Sequence, residues 1–189
     1  LIQNLKSVDI FFDIGAHIGL VSLPAAKEMK QTAKVVSFEP SHKNFKHLKS
    51  HARNNSFEEK IIMKQCLIGD KNCQKTFYSS NKESPINSIV KFDQIKNYKT
   101  EQLQQITLDS FCKTSGLIPE VIKIDVEGAE INVLKGAQNI LKKYKPIIYL
   151  SIHPRHIKEL GSDINELIIL IDEIGYQIED FEGNQIGYY

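Results

Sequence analysis

Two segments of this chain carry the same plan, and the plan belongs to one architecture. Phe11–Gly19 (FFDIGAHIG) is a short apolar run holding one acid, Asp13, that breaks at Gly15 and resumes beyond Gly19. Val121–Ala137 (VIKIDVEGAEINVLKGA) is another apolar run that reaches Asp125, turns at Gly128 and continues with helical spacing. Each reads as a strand buried on both faces that turns at a glycine into a helix. Such units build a mostly parallel sheet with right-handed crossovers and helices on both faces. In open sheets of this kind, ligands sit beyond the carboxyl ends of the strands, where both turns would lie.

The rest of the chain repeats the alternation. Lys34–Glu39 and Pro146–Ile152 are apolar runs rich in Val, Ile, Phe and Tyr, and Ile61–Ile68 is a more mixed one. Between them lie helical patterns. Ser41 is placed to cap a helix with Phe45, Leu48 and Ala52 on one face. A second helix follows Gly128 with Val133, Leu134, Ala137, Ile140 and Leu141 together, and a third runs from Asp163 with Ile164, Leu167, Ile168 and Ile171 inward. The helix after Gly19 carries Pro24 in its early turns.

Residues 69 to 108 break the pattern. Gln74–Tyr78, Ser88–Phe92 and Gln105–Leu108 read as short strands between polar loops, an insertion able to cover the mouth of a site. The tail, Tyr176–Phe181 and Gln185–Tyr189 about Glu182-Gly183-Asn184, reads as an antiparallel hairpin. At 189 residues the expectation is a single domain over 1–189. A net charge of +1 gives no global pull toward nucleic acid or an anionic membrane. No apolar run approaches the ~20 residues of a membrane span. The three cysteines, Cys66, Cys73 and Cys112, form neither a disulfide framework nor a metal-type pair, and the expected location is cytoplasmic.

The first turn has the character of a nucleotide-type cofactor loop. Gly15 permits a tight turn and close backbone approach, and Gly19 opens the helix. A dinucleotide loop spaces its glycines Gly-x-Gly-x-x-Gly to seat a diphosphate. Here Ala16-His17 replaces the middle glycine and Asp13 ends the strand. A carboxylate suits the ammonium of a methionine moiety better than a diphosphate. Glu39 ends the next strand, 24 residues after Gly15, where an acid accepts ribose hydroxyls. This points to S-adenosylmethionine. His17 is expected to line the loop without a catalytic role.

The second turn gathers carboxylates. Asp125 projects from a strand end, Glu127 lies in the turn, and Glu130 falls in the first helical turn, where a negative charge suits the helix dipole. His153, in SIHP, ends the next strand on the same sheet edge. Methyl transfer to a hydroxyl needs a positioned acceptor and a group that takes its proton, and histidine, with a reference pKa of ~6.5, suits that task. Asp125 or Glu127 would orient the acceptor or the histidine. Asp125, Glu127 and His153 are also candidate ligands for a divalent cation, the less favoured reading, and an all-oxygen set would suit Mg, Ca or Mn. Lys123 would pair with an acid or extend its stem to the sheet edge.

With these residues in view, the chain resembles the FkbM-type methyltransferases, a branch of the class I S-adenosylmethionine-dependent enzymes. The resemblance runs through DIGAHIG, SFEP, CLIGD, ITLDSF, VIKIDVEGAEINVLKGA and PIIYLSIHP, in that order. It implies a Rossmann-like α/β fold and O-methylation of a hydroxyl on a sugar, glycan or secondary metabolite. It implies that Asp13, Gly15, Ala16 and Gly19 form the cofactor loop, that Glu39 clamps the ribose and that Asp70 lies near the adenine. It implies that Asp125, Glu127 and His153 line the acceptor site.

Three other classes compete. A nucleic-acid methyltransferase lacks support from charge or a basic–aromatic platform. A dehydrogenase lacks the middle glycine, and a non-catalytic domain could retain the fold.

Overall fold

The computed structural model describes residues 1–80, 87–88, 98–180 and 182–185. Its centre is a sheet of five parallel strands: β1 (Ile10–Ile14), β2 (Lys34–Phe38), β3 (Ile61–Lys64), β8 (Val121–Ile124) and β9 (Ile147–Leu150). They lie in the order β3-β2-β1-β8-β9. The chain thus builds outward from β1 in one direction, then starts again at β8 and builds in the other. The crevice between β1 and β8 is the switch point that sequence alternation alone cannot locate.

Strand register explains the two cores. Phe12 stands between Val36 and Ile122, and Ile14 between Phe38 and Ile124. These face one layer of helices, where Phe12, Phe38 and Phe111 meet edge-on with centroids 5.0 to 5.7 Å apart. Phe11, Val35 and Val121 face the other side and pack on Ala25, Ala26 and Met29. The intervening register row is polar: Asp13 stands directly between Ser37 and Lys123. Helix α1 (Ser22–Glu28) follows the first loop and α2 (His42–Asn54) follows β2, capped by Ser41, whose Oγ accepts from Asn44 N.

Ile61–Ile68 is two strands. After β3 the chain leaves the main sheet at Gln65, and β4 (Leu67–Ile68) joins a second sheet of order β4-β7-β5-β6. There β5 (Cys73–Ser80) and β7 (Tyr98–Ile106) pair antiparallel from Cys73↔Gln105 to Ser80↔Tyr98, and β6 (Asn87–Ser88) pairs with β5. The expectation for β7 began seven residues too late, because Tyr98–Gln104 is mostly polar. A strand held by main-chain bonds between β4 and β5 needs no continuous apolar run. Of the strand expected at Ser88–Phe92, only Ser88 lies within the described residues. Leu108, expected to end a strand, instead opens helix α3 (Leu108–Ser115), because Thr107 Oγ1 caps it by accepting from Ser110 N.

The helix expected after Gly128 is also two: α4 (Glu130–Lys135) and α5 (Gln138–Tyr144). The break at Gly136 lets the backbone pass so close to Gly69 that a Cβ would lie 1.9 Å from its carbonyl oxygen. Asp109 then caps α5 from a distance, accepting from Asn139 N at 3.1 Å and Ile140 N at 2.9 Å. Helix α6 (Pro154–Glu159) follows β9, and α7 (Ile164–Glu173) is capped by Asp163, which accepts from Asn165 N and Glu166 N. A bridge between Glu179 and Gln185 marks the tail hairpin; Phe181 and residues 186–189 lie outside the described residues. Among the described residues, no helix is long and apolar enough to cross a membrane.

Candidate functional site

The loop after β1 is pinned to its neighbours by main-chain bonds. Gly15 N and Ala16 N both donate to Phe38 O at 3.0 Å, and Asp125 N donates to Ile14 O at 3.0 Å. Gly15 has φ +78°, and a Cβ on it would lie 1.9 Å from Asp125 O. The two turns singled out in the sequence therefore touch at Gly15. The bonds hold open a cavity of about 360 Å³ at the switch point, with Gly15, Ala16 and His17 on one side and Asp125 and Glu127 on another. Cys66, Leu67, Ile68 and Phe77 supply an apolar wall from the second sheet and its approach.

Glu39 lines this cavity although it is only 4% exposed. Its Oε2 accepts from His17 N at 2.8 Å, and its Oε1 accepts from Ser41 N at 2.9 Å and Asn44 Nδ2 at 3.4 Å. Burial outweighs these donors and pushes the carboxyl up to about 7. His17 has φ +53°, and burial, with Lys123 beside it, lowers its pKa.

Three of the expected cofactor residues, Asp13, Gly19 and Asp70, do not line the cavity. Asp13 is 0% exposed and does not line the cavity. Its register row explains why: Ser22 Oγ donates to Oδ2, and Lys123 Nζ lies 3.1 Å from Oδ1 as an ion pair without an aligned hydrogen bond. Lys123 also donates to Gly15 O at 2.9 Å. Asp13 thus pairs with the cation that anchors the loop. Asp70 is exposed, accepts from Gln105 Nε2 at 3.2 Å and likewise stays out of the cavity. Gly19, at φ +97°, lies behind the loop, where a Cβ would meet Leu23 and Leu48.

Asp125 and Glu127 line the cavity, and His153, which does not, stands beside both of them. His153 Nε2 is 3.6 Å from both Asp125 Oδ1 and Glu127 Oε2, and one ligand-type atom from each of the three residues lies within 4.8 Å of the others. Glu127 holds φ +53°, an uncommon conformation for a residue with a Cβ. His153 Nδ1 lies 2.7 Å from Glu130 Oε1, and Glu130 is 0% exposed. Burial opposes protonation of His153, but Glu130, Glu127 and Asp125 outweigh it and raise its pKa. His156, which the sequence reading passed over, stacks on His153 with centroids 5.8 Å apart and brings Nδ1 to 3.0 Å from Glu127 Oε2. Its signal was its place in the helix that Pro154 opens. For Phe77 the signal was the insertion at 69–108, able to cover the mouth of a site; Cys66 and Leu67 had none, because the turn of the chain from β3 into the second sheet brings them to the cavity.

A parallel sheet with a glycine loop, a buried acid just after the second strand and a cavity at the switch point defines a Rossmann-like methyltransferase fold. The family model described as "Methyltransferase FkbM domain" matches residues 13–178, and the chain belongs to that family. Among solved structures, the methyltransferase FkbM from Methylobacillus flagellatus KT is 22% identical with a TM-score of 0.60, over 89% of this chain and 37% of that one. The chain therefore spans little more than a third of that protein. The precorrin-6y C5,15-methyltransferase from Geobacter metallireducens GS-15 is 12% identical with a TM-score of 0.54, over 94% of this chain and 68% of that one. The O-methyltransferase from Bacillus cereus, solved with SAH, is 13% identical with a TM-score of 0.52, over 97% and 73%. These likenesses show the fold. No curated protein matches the chain.

Proposed function

We propose that this chain is an S-adenosylmethionine-dependent O-methyltransferase acting on a hydroxyl of a sugar, glycan or secondary metabolite, with residues 1–189 working as one domain. The observation that carries the proposal is that a single cavity joins the buried Glu39 to Asp125 and Glu127, with His153 beside those two carboxylates. The donor set fits an adenosine-bearing cofactor. Glu39 is an acceptor-only group when ionised, suited to two ribose hydroxyls, and the wall of Leu67, Ile68 and Phe77 suits a flat base. Asp125 takes over from Asp13 as the carboxylate within reach of a methionine ammonium.

S-adenosylmethionine supplies the sulfonium-bound methyl group that is transferred. His153, through Nε2, takes the proton from the acceptor hydroxyl, and the neighbouring carboxylates stabilise the imidazolium that forms. Glu127 accepts a hydrogen bond from a further acceptor hydroxyl and so orients it. The insertion at residues 69–108, whose Phe77 joins that wall, selects the acceptor. Asp125, Glu127 and His153 could also hold a divalent cation, but the scheme needs none.

Calorimetric titration with S-adenosylhomocysteine, on the intact chain and on Glu39→Ala, is the direct test. Micromolar binding, weakened by ~2 kcal/mol or more in the variant, is expected. Absence of binding to the well-folded chain would refute the cofactor assignment.

A further inference from the structure

Glu130 has a placement that helix stability does not account for. It opens α4, a helix of six residues with a correspondingly weak dipole. A carboxylate serving only that dipole can stay in water, yet Glu130 is 0% exposed and its Oε2 is buried without a hydrogen-bond partner. Removing a carboxylate from water is strongly unfavourable unless a partner compensates. Its Oε1 has two partners: Gly128 N, which donates at 3.0 Å, and His153 Nδ1, at 2.7 Å. Glycine is what permits this approach: a Cβ on Gly128 would be 2.8 Å from the His156 carbonyl carbon, so only a residue without one lets the turn carrying Glu130 lie this close to the helix following His153.

We infer that Glu130 is a positioning residue: by accepting the Nδ1 hydrogen of His153 it selects one tautomer and turns Nε2, the proton-accepting atom, toward Asp125 and Glu127. This rests on the reading of His153 as the base. The 3.6 Å from Nε2 to each of those carboxylates is too long for a direct hydrogen bond. It leaves Nε2 available to an acceptor hydroxyl. The groups facing the imidazole are Glu130, Glu127 and Asp125, with the stacked His156 on one face; Lys123, 3.7 Å from Asp125 Oδ2, draws on the last carboxylate. Glu130 is the one that touches Nδ1. An imidazole whose other nitrogen donates to a buried carboxylate is fixed in orientation and made more basic, as histidines held by carboxylates generally are.

The test needs neither cofactor nor acceptor. Long-range 15N–1H correlation spectra of the imidazole report tautomer and titration midpoint for the wild-type chain and for Glu130→Gln, a near-isosteric change that removes the charge. Neutral His153 in the wild type is expected as the Nδ1–H tautomer, and the variant, which removes the charge that raises the midpoint, should lower that midpoint and mix the tautomers. A wild-type Nε2–H tautomer, or an unchanged midpoint and tautomer in folded Glu130→Gln, would overturn the inference. If the variant does not fold, the wild-type tautomer alone decides. S-adenosylhomocysteine titration of the wild-type chain reports separately on the cofactor reading, so the two can fail independently.

Discussion

The contact between the two glycine-bearing turns can be tested by filling it. In Gly15→Ala the new Cβ would lie 1.9 Å from Asp125 O and 2.9 Å from Asp125 C, both backbone atoms that no rotamer change can move. Ordinary contact begins near 3.4 Å, so the loop must retreat from β8. Retreat stretches the bonds from Gly15 N and Ala16 N to Phe38 O and from Lys123 Nζ to Gly15 O. Losing two of these costs ~2 kcal/mol, and an alanine at φ +78° adds ~1–2 kcal/mol of conformational strain. The reduced entropy of the unfolded alanine chain returns less than ~1 kcal/mol. The expected net loss is about 3 kcal/mol, or roughly 10 °C in Tm for a domain of this size. Gly116→Ala is the control: it has φ +72° with nothing within 4 Å of the added atom, so it bears the strain alone and should lose only about 1 kcal/mol. Urea unfolding of both variants, with S-adenosylhomocysteine titration of Gly15→Ala, reads the difference. Equal destabilisation by the two substitutions would show that the tight packing of the turns has no energetic weight, and undiminished affinity in Gly15→Ala would refute the loop's role.

Two further outcomes follow from the buried charges. Lys123→Met leaves Asp13, 0% exposed, without its cation, and should destabilise the chain by ~3–5 kcal/mol in urea unfolding. Adding Asp13→Asn should recover much of that loss, and a single-variant cost below ~1 kcal/mol would mean that the pair does not anchor the sheet. Glu39, pushed up to about 7 from an ordinary 4.5, holds its proton longer folded than unfolded. Its contribution to stability is therefore full below pH 4.5 and is lost as pH rises to about 7, by on the order of 3 kcal/mol, the difference that Glu39→Gln should erase from the pH–stability curve. Affinity for S-adenosylhomocysteine should run the other way, rising through about pH 7 as the carboxylate ionises and accepts the ribose hydroxyls; a flat profile would exclude Glu39 from that contact.

The parallel α/β fold was legible because each buried strand is a local pattern: Phe11–Ile14, Val35–Phe38 and Val121–Ile124 carry apolar residues on both faces around a single polar position, and each ends at a turn. The site turns were legible for the same reason, since Gly15, Glu39, Asp125 and His153 each follow a strand that announces itself. What the residues could not reveal are relations between strands distant in the chain. Asp13 reads as a free strand-end acid, but register sets it between Ser37 and Lys123, and the pairing takes it out of the cavity. Asp70 and Phe77 lie near each other in the chain, yet only Phe77 reaches the cavity, because β5 turns Phe77 inward whereas Asp70 lies in the exposed bend before that strand. Glu130 reads as a helix-terminal charge until β9 brings His153 against it. Local periodicity is written in consecutive residues, whereas register, the place where strand order reverses, and the partner of a buried charge are set by packing across more than a hundred positions, as between Gly15 and Lys123.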